Sequence, residues 1–106
     1  ELFKDILDQT GIMPPVLDAK DILIDPPKML KKLCVTIGID FTNAMLSWPA
    51  GPRESDGIWA PYWYDRVEAS TGFNPFRNKE IIIPEDQQFL LAKCLPAYEY
   101  LLQYKL

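Results

Sequence analysis

The segment DPPKMLKKLCVTIG, residues 25–38, predicts the best-defined helix in the sequence. Asp25 can accept hydrogen bonds from the free amides of a first helical turn, and Pro26 follows it where no amide donor is needed. Gly38 can take the left-handed conformation that commonly ends a helix. The apolar face contains Met29, Leu30, Leu33, Cys34 and Ile37, with Lys28, Lys31 and Lys32 on the opposite face. A solvated helix surface accounts for these lysines, and an anionic partner is the alternative.

Further helices are predicted on both sides of this segment, giving a mainly α chain of about five helices and one or two short strands. Apolar residues at helical spacing predict a first helix that ends at Gly11. The other predicted helices cover residues 42–48, residues 61–70 and a final segment that starts at Pro84 and is kinked by Pro96. Residues 16–19 are predicted as a strand, Ile81 to Ile83 as an extended arm, and Gly72 as a second left-handed helix end.

The composition of the 106 residues suits one soluble domain, so residues 1–106 are treated as a single unit. The net charge of −4 argues against nucleic acid as a partner, because binding phosphates requires an excess of positive charge. The uncharged runs are shorter than the ~20 apolar residues that span a bilayer, so no membrane is predicted as a partner. Because the first residue is Glu1, we expect the natural polypeptide to extend upstream.

The two cysteines, Cys34 and Cys94, lie far apart on the apolar stripes of two predicted helices. Two such residues form neither a disulfide framework nor a metal motif. We expect buried free thiols, which favours a cytoplasmic chain; a disulfide between them is the alternative. The chain also lacks histidine and a calcium-loop pattern, so no metal ligand is assigned.

The aromatic segment WPAGPRESDGIWAPYWYDRVEASTGF, residues 48–73, holds all three tryptophans and an Arg-x-x-Asp-Gly-x-Trp pattern. Arg53 can hold a phosphate with a planar, always-charged fork, and Gly57 would let backbone amides approach that phosphate. Alternatively, Arg53 pairs with a neighbouring carboxylate and Gly57 only turns the loop. The tryptophans favour packing over stacking on an adenine. Asp56 and Asp65 are the nearest carboxylates, but no set of catalytic residues is recognisable, and the catalytic residues are unknown.

Residues 16–48, VLDAKDILIDPPKMLKKLCVTIGIDFTNAMLSW, resemble the late part of a P-loop sulfotransferase domain. The similar features are an acidic residue after a strand, Asp-Pro, a helix of the form Leu-x-x-Leu-Cys-x-x-x-Gly, and Met-Leu-x-Trp. The combination of Gly-Pro-Arg, Asp-Gly-x-Trp, Trp-Tyr and Ser-Thr-Gly-Phe in residues 51–73 resembles a sulfotransferase-like branch more specifically.

This resemblance implies the carboxy-terminal part of an α/β fold that uses 3′-phosphoadenosine-5′-phosphosulfate as sulfuryl donor. The family's Arg-Lys-Gly run followed by Gly-x-Trp-Lys holds the donor's 3′-phosphate and is similar to Arg53, Gly57 and Trp59 here. Glu54 and Ala60 replace the two lysines, so only Arg53 and Gly57 are carried over as cofactor-binding residues. The family's amino-terminal phosphate loop is absent from this sequence.

A chain without that loop is expected to be inactive alone. We therefore expect the remainder of a parent chain, or a homo-oligomer partner, to cover an apolar face left by the missing sheet. The rival hypothesis is a small helical protein-interaction module, or a degenerate non-catalytic domain, that docks through its exposed apolar surface. The sequence does not identify the acceptor substrate.

Overall fold

The computed structural model describes residues 2–106 and confirms a mainly helical chain. Within these residues there are six α-helices, two short 3₁₀ turns and no sheet. The helices are α1 (Leu2–Thr10), α2 (Ala19–Ile24), α3 (Pro26–Ile37), α4 (Ala60–Trp63), α5 (Asp65–Glu68) and α6 (Gln88–Leu102). The 3₁₀ turns are Asn43–Leu46 and Glu85–Gln87.

Helix α3 begins and ends as its sequence predicts. The Asp25 carboxylate accepts a hydrogen bond from the Lys28 amide at 3.1 Å, and Pro26 is the first helical residue. Gly38 ends the helix in the left-handed conformation with φ of 75°. The buried face of α3 holds Met29 and Cys34, and the Cys34 thiol lies 3.8 Å from the Met45 sulfur. Helix α3 thereby positions the 3₁₀ turn that leads into the aromatic segment.

The predicted strand at residues 16–19 is wrong. Asp18 instead starts α2, and its carboxylate accepts a hydrogen bond from the Lys20 amide at 2.9 Å. Val16 makes only an isolated parallel bridge with Lys105, at the other end of the chain. A strand forms only where a neighbouring strand pairs with its backbone groups along its length. Residues 2–106 offer Val16 a single bridge, so no strand forms there.

Three other local predictions need correction. The segment from 61 to 70 is divided at Tyr64 into α4 and α5, and residues 42–48 contain only the short 3₁₀ turn. Gly72 is not left-handed; it pairs with Ser47 in an isolated antiparallel bridge. A Cβ at Gly72 would lie 3.2 Å from the Leu46 carbonyl oxygen, so close backbone approach explains this glycine. Residues 81–83, predicted as an extended arm, form no regular secondary structure, and Ile81 and Ile82 are exposed.

Two side-chain pairs join the end of the chain to α2. The Tyr98 hydroxyl donates to the Asp18 carboxylate at 2.9 Å, and the Lys105 ammonium lies 2.8 Å from the Asp21 carboxylate. The Leu106 amide also donates to the Val16 carbonyl at 3.0 Å. These contacts form a clasp between residues 16–21 and 98–106.

The clasp shifts the pKa of each of three groups. The Lys20 amide and then the Tyr98 hydroxyl lower the pKa of Asp18. The hydrogen bond to Asp18 raises the pKa of Tyr98, and the hydrogen bond to Asp21 raises the pKa of Lys105. Because its folded-state pKa is lowered, the Asp18 carboxyl stabilises the fold at pH values above its unfolded-state pKa. This stability is lost as pH falls through the folded-state pKa. Because the folded-state pKa values of Tyr98 and Lys105 are raised, these two groups stabilise the fold at pH values below their unfolded-state pKa. This stability is lost as pH rises through their folded-state pKa values, in alkali.

Replacing Tyr98 with phenylalanine is expected to raise the pKa of Asp18 toward its ordinary value, because one of two hydrogen bonds to the carboxylate is removed. NMR titration of the Asp18 side-chain carboxyl carbon measures this shift. Tyr62→Phe is the matched control, since Tyr62 is exposed and remote from Asp18 in sequence. An unchanged Asp18 titration in Tyr98→Phe would show that the clasp does not form in solution.

Few side chains of the described residues are buried. The buried residues are Met29, Cys34 and Ala60, and helix α6 has none. The accessible surface is 8992 Å², against about 6000 Å² for a folded monomer of this mass. The Cα radius of gyration is 17.1 Å, against about 13 Å for a compact domain of this length. Residues 2–106 therefore leave a large apolar surface open, above all on α6.

Candidate functional site

A short turn holds Arg53 and Gly57 in the loop that precedes α4. The Arg53 amide donates to the Asp56 carboxylate at 2.8 Å, and the Asp56 amide donates back to the Arg53 carbonyl at 2.9 Å. Directly after this turn, the Gly57 carbonyl accepts a hydrogen bond from the Ala60 amide at 2.9 Å. Asp56 thus fixes the loop through the backbone of Arg53, and its carboxylate is used in doing so.

The Arg53 guanidinium has no acidic partner among residues 2–106. The side chain is exposed, and its nearest hydrogen-bond acceptor is the Pro49 carbonyl at 3.5 Å from Nη2. Within the described residues the one ion pair joins Lys105 to Asp21. The alternative in which Arg53 pairs with a neighbouring carboxylate is therefore not observed, and the planar fork is free to hold an anion.

Nothing in the described structure requires glycine at position 57. Gly57 does not have the positive φ found at Gly11, Gly38 and Gly51. A Cβ built at Gly57 would meet no atom within 4 Å. Neither a left-handed turn nor internal crowding explains this glycine, and its missing side chain leaves open space at position 57 of the loop.

The three tryptophans differ in environment. Trp48 packs edge-on against Phe73 with ring centroids 5.4 Å apart, and its indole N–H donates to the Ser70 hydroxyl at 3.0 Å. Packing is thus confirmed for Trp48. Trp59 and Trp63 are 63% and 78% exposed, so the prediction that they also pack is wrong for residues 2–106.

The remaining candidate groups in residues 2–106 are potential metal ligands, the two cysteines and the helices. Within residues 2–106, no three Cys, Asp or Glu side chains cluster as ligands for a metal ion. Both cysteines are free thiols; Cys34 is buried, whereas Cys94 is exposed, contrary to prediction. None of the helices in the described part of the chain has the length and apolar character needed to cross a bilayer.

One group of basic residues was missed by the sequence analysis. Arg66, Arg77 and Lys79 line a cavity of about 470 Å³ together with Asn74 and Phe76. In the sequence, Arg77 and Lys79 resemble ordinary loop residues, because nothing in the neighbouring sequence indicates that they share a cavity with Arg66. The only available signal was the pair of basic residues, Arg77 and Lys79, in the loop after Phe73.

The sequence of this chain matches the family model described as sulfotransferase domain over residues 5–103. The match covers nearly the whole chain, and the chain therefore belongs to the sulfotransferase domain family. Its lysine-faced α3 and the aromatic segment, the features that resemble this family, both lie inside the matched range.

Two curated plant proteins are similar to this chain. Branched-chain-amino-acid aminotransferase-like protein 2 of Arabidopsis thaliana is 40% identical over 95 residues, covering 90% of this chain and 17% of that protein. Branched-chain-amino-acid aminotransferase-like protein 1 of the same plant is 41% identical with the same coverage. The chain thus spans about a sixth of the length of these relatives. No solved structure matches the sequence significantly.

Proposed function

We propose that residues 1–106 form one unit, the carboxy-terminal part of a sulfotransferase-like protein, and contribute to the site for the donor's 3′-phosphate. The observation that carries this proposal is the exposed Arg53 guanidinium, free of any carboxylate in residues 2–106, next to open space at Gly57. Both features fit an anionic group, because Arg supplies two parallel charge-assisted donors and Gly57 offers no side chain to obstruct them.

Each residue of the loop has a separate role in this proposal. Arg53 holds the phosphate and compensates its charge. Gly57 has no side chain and therefore allows the ligand to approach the backbone closely. The Gly57 amide makes no hydrogen bond within residues 2–106, so it can donate to the ligand. Asp56 fixes the loop and positions the backbone of Arg53. Because this backbone conformation exists before the ligand binds, binding loses less conformational entropy.

The donor, 3′-phosphoadenosine-5′-phosphosulfate, supplies the sulfuryl group when bound. The phosphate loop that the family uses for the other end of the donor lies in a different part of the polypeptide or in a partner chain. We assign no catalytic base to residues 1–106, and we expect no transfer activity from them alone. Their remaining role is to form one wall of the acceptor cleft, where Trp59 and Trp63 offer exposed aromatic surface.

The relatives' aminotransferase-like names do not lead us to propose amino-group transfer by this chain. The matched stretch is 17% of each relative, and its 95 residues, 90% of this chain, overlap most of the range 5–103 recognised by the sulfotransferase domain model. The names describe the whole proteins, whereas the proposed site is built from Arg53 and Gly57.

Replacing Gly57 with alanine is expected to leave the free energy of unfolding within about 0.5 kcal/mol of wild type, since the added methyl group meets open space. The same change is expected to weaken binding of 3′-phosphoadenosine-5′-phosphate, because the methyl group occupies the space that the ligand needs. Calorimetric titration of the longest available polypeptide measures the affinity, and thermal unfolding measures the stability.

Ala50→Gly is a suitable control, since Ala50 is an exposed residue of the same aromatic segment outside the proposed phosphate contacts. Unchanged affinity in Gly57→Ala would remove Gly57 from the site. Loss of stability together with affinity would indicate a structural role instead.

A second candidate, a helical interaction module, is favoured by the open apolar surface of α6. Its exposed large side chains are Phe89, Leu90, Leu91, Leu95 and Tyr98. A helix that is apolar on all sides is normally buried, so α6 requires a cover from elsewhere in the polypeptide or from a second copy. Sedimentation of residues 1–106 alone tests the open apolar surface on which both functions depend. Self-association is expected, and a monomer that melts sharply would contradict both the module and the incomplete-domain proposal.

A further inference from the structure

Two adjoining cavities form a groove on the side of α5 and the loop that follows it. One cavity, of about 450 Å³, is lined by Arg66 and by residues 69–74. The other, of about 470 Å³, is lined by Leu23, Arg66, residues 74–77 and Lys79. Arg66 and Asn74 line both cavities, so the two cavities adjoin at these residues, and together we call them the basic groove.

The charge of the basic groove is opposite to that of the chain. Its lining contains Arg66, Arg77 and Lys79 and no carboxylate, whereas the whole chain has a net charge of −4. None of the three side chains forms an ion pair or hydrogen bond within residues 2–106, although Asp65 directly precedes Arg66. Three cations that line one cavity without internal partners create a local positive potential that favours an anion.

Several contacts fix the walls of this groove. The Phe76 amide donates to the Leu23 carbonyl at 3.3 Å, and the Lys20 ammonium lies 5.5 Å from the centre of the Phe76 ring. On the opposite wall, the Trp48 amide donates to the Thr71 carbonyl at 3.0 Å. The loop that presents Arg77 and Lys79 is therefore attached to α2, and the residues after α5 are attached to Trp48 at the start of the aromatic segment.

We propose that the basic groove binds a phosphate or sulfate ester through Arg66, Arg77 and Lys79. Two guanidinium forks and one ammonium suit a tetrahedral oxyanion, and the Asn74 amide between the cavities adds an uncharged donor. Three cations in an acidic chain are too few for the extended phosphate contacts of nucleic acid binding. The ester group belongs either to the sulfuryl donor or to a negatively charged acceptor. This proposal does not depend on the assignment of Arg53 and Gly57.

The test compares two variants with the same change in charge, in the longest available polypeptide. The groove variant carries Arg66→Gln, Arg77→Gln and Lys79→Gln. The control carries Lys28→Gln, Lys31→Gln and Lys32→Gln on the exposed face of α3, outside the groove. Inorganic phosphate is titrated into each protein, with the NMR signal of the Asn74 side-chain amide as local readout. Circular dichroism checks that both variants fold, and Arg77→Gln alone replaces the triple groove variant if that variant unfolds.

Saturable phosphate binding is expected in wild type and in the control, with affinity at least about tenfold lower in the groove variant. Arg53→Ala is expected to keep this binding, so failure of the donor-site proposal can be told apart from failure of this one. Competition by 3′-phosphoadenosine-5′-phosphate would assign the groove to the donor, and its absence would assign the groove to the acceptor. Equal loss in both triple variants, or affinity within about twofold of wild type in the groove variant, would overturn the proposal.

Discussion

Replacing Arg53 with alanine is expected to weaken binding of 3′-phosphoadenosine-5′-phosphate by about ten- to a hundredfold. The guanidinium is exposed and has no carboxylate partner in the described residues, so it is available to form charge-assisted hydrogen bonds to a phosphate. A hydrogen bond to a charged group is worth about 1.5–3 kcal/mol, and the range of affinity corresponds to the net loss of one such bond at this exposed site. Calorimetric titration of the longest available polypeptide measures the effect.

Two controls separate the contribution of the planar guanidinium geometry of Arg53 from the contribution of its positive charge. Arg53→Lys keeps the positive charge but loses the planar pair of donors, so an intermediate affinity is expected. Lys32→Ala removes one charge from the exposed face of α3 and is expected to leave the affinity nearly unchanged. If Arg53→Ala binds as tightly as wild type, Arg53 does not contact the ligand.

Replacing Trp48 with alanine is expected to lower the free energy of unfolding by about 3 kcal/mol. Trp48 joins the residues before the loop to the residues after α5 through its edge-on contact with Phe73 and its hydrogen bond to Ser70. Truncation removes both contacts and leaves a cavity between the two ends of the aromatic segment. Urea unfolding followed by circular dichroism measures the loss.

Trp63→Ala is the matched control for this substitution. Trp63 is 78% exposed, so its removal is expected to change the free energy of unfolding by less than about 0.5 kcal/mol. Equal losses for both tryptophans would mean that Trp63 is covered in the protein in solution, and that the packing around Trp48 is not specific.

Local signals in the sequence were sufficient for α3 but not for its neighbours. Asp25, Pro26 and Gly38 determine the ends of α3 through contacts within a few residues, so the sequence predicted them correctly. Helix α2 was missed because Pro14 and Pro15 before Val16 suggested an extended chain. The signal that was overlooked is Asp18, whose carboxylate binds the Lys20 amide at the start of the helix.

Predictions failed where the outcome depends on distant residues. Gly72 resembled a helix end, but its role is set by the close approach of Leu46, which local sequence cannot show. Trp59 and Trp63 have the spacing of buried residues, yet residues 2–106 provide nothing to cover them. Their apolar character is consistent with a surface that is buried against a further part of the protein.

The candidate residues of the site were chosen from the sequence, and the geometry of their loop came from the structure. Arg53 and Gly57 came from a resemblance to sulfotransferases, whereas the residues alone favoured the pairing of Arg53 with a carboxylate. The structure shows that the Asp56 carboxylate binds the Arg53 backbone amide and leaves the guanidinium free. The basic groove was not predictable, because Arg66 meets Arg77 and Lys79 only through the path of the chain after α5.

The most direct test of the account is a comparison of two nucleotides that differ only in the 3′-phosphate. 3′-Phosphoadenosine-5′-phosphate and adenosine 5′-phosphate are titrated into the longest available polypeptide, as wild type and as Arg53→Ala. We predict that wild type prefers the 3′-phosphorylated nucleotide by at least about tenfold and that Arg53→Ala loses most of this preference. Equal preference in the two proteins would contradict the assignment of the 3′-phosphate to Arg53.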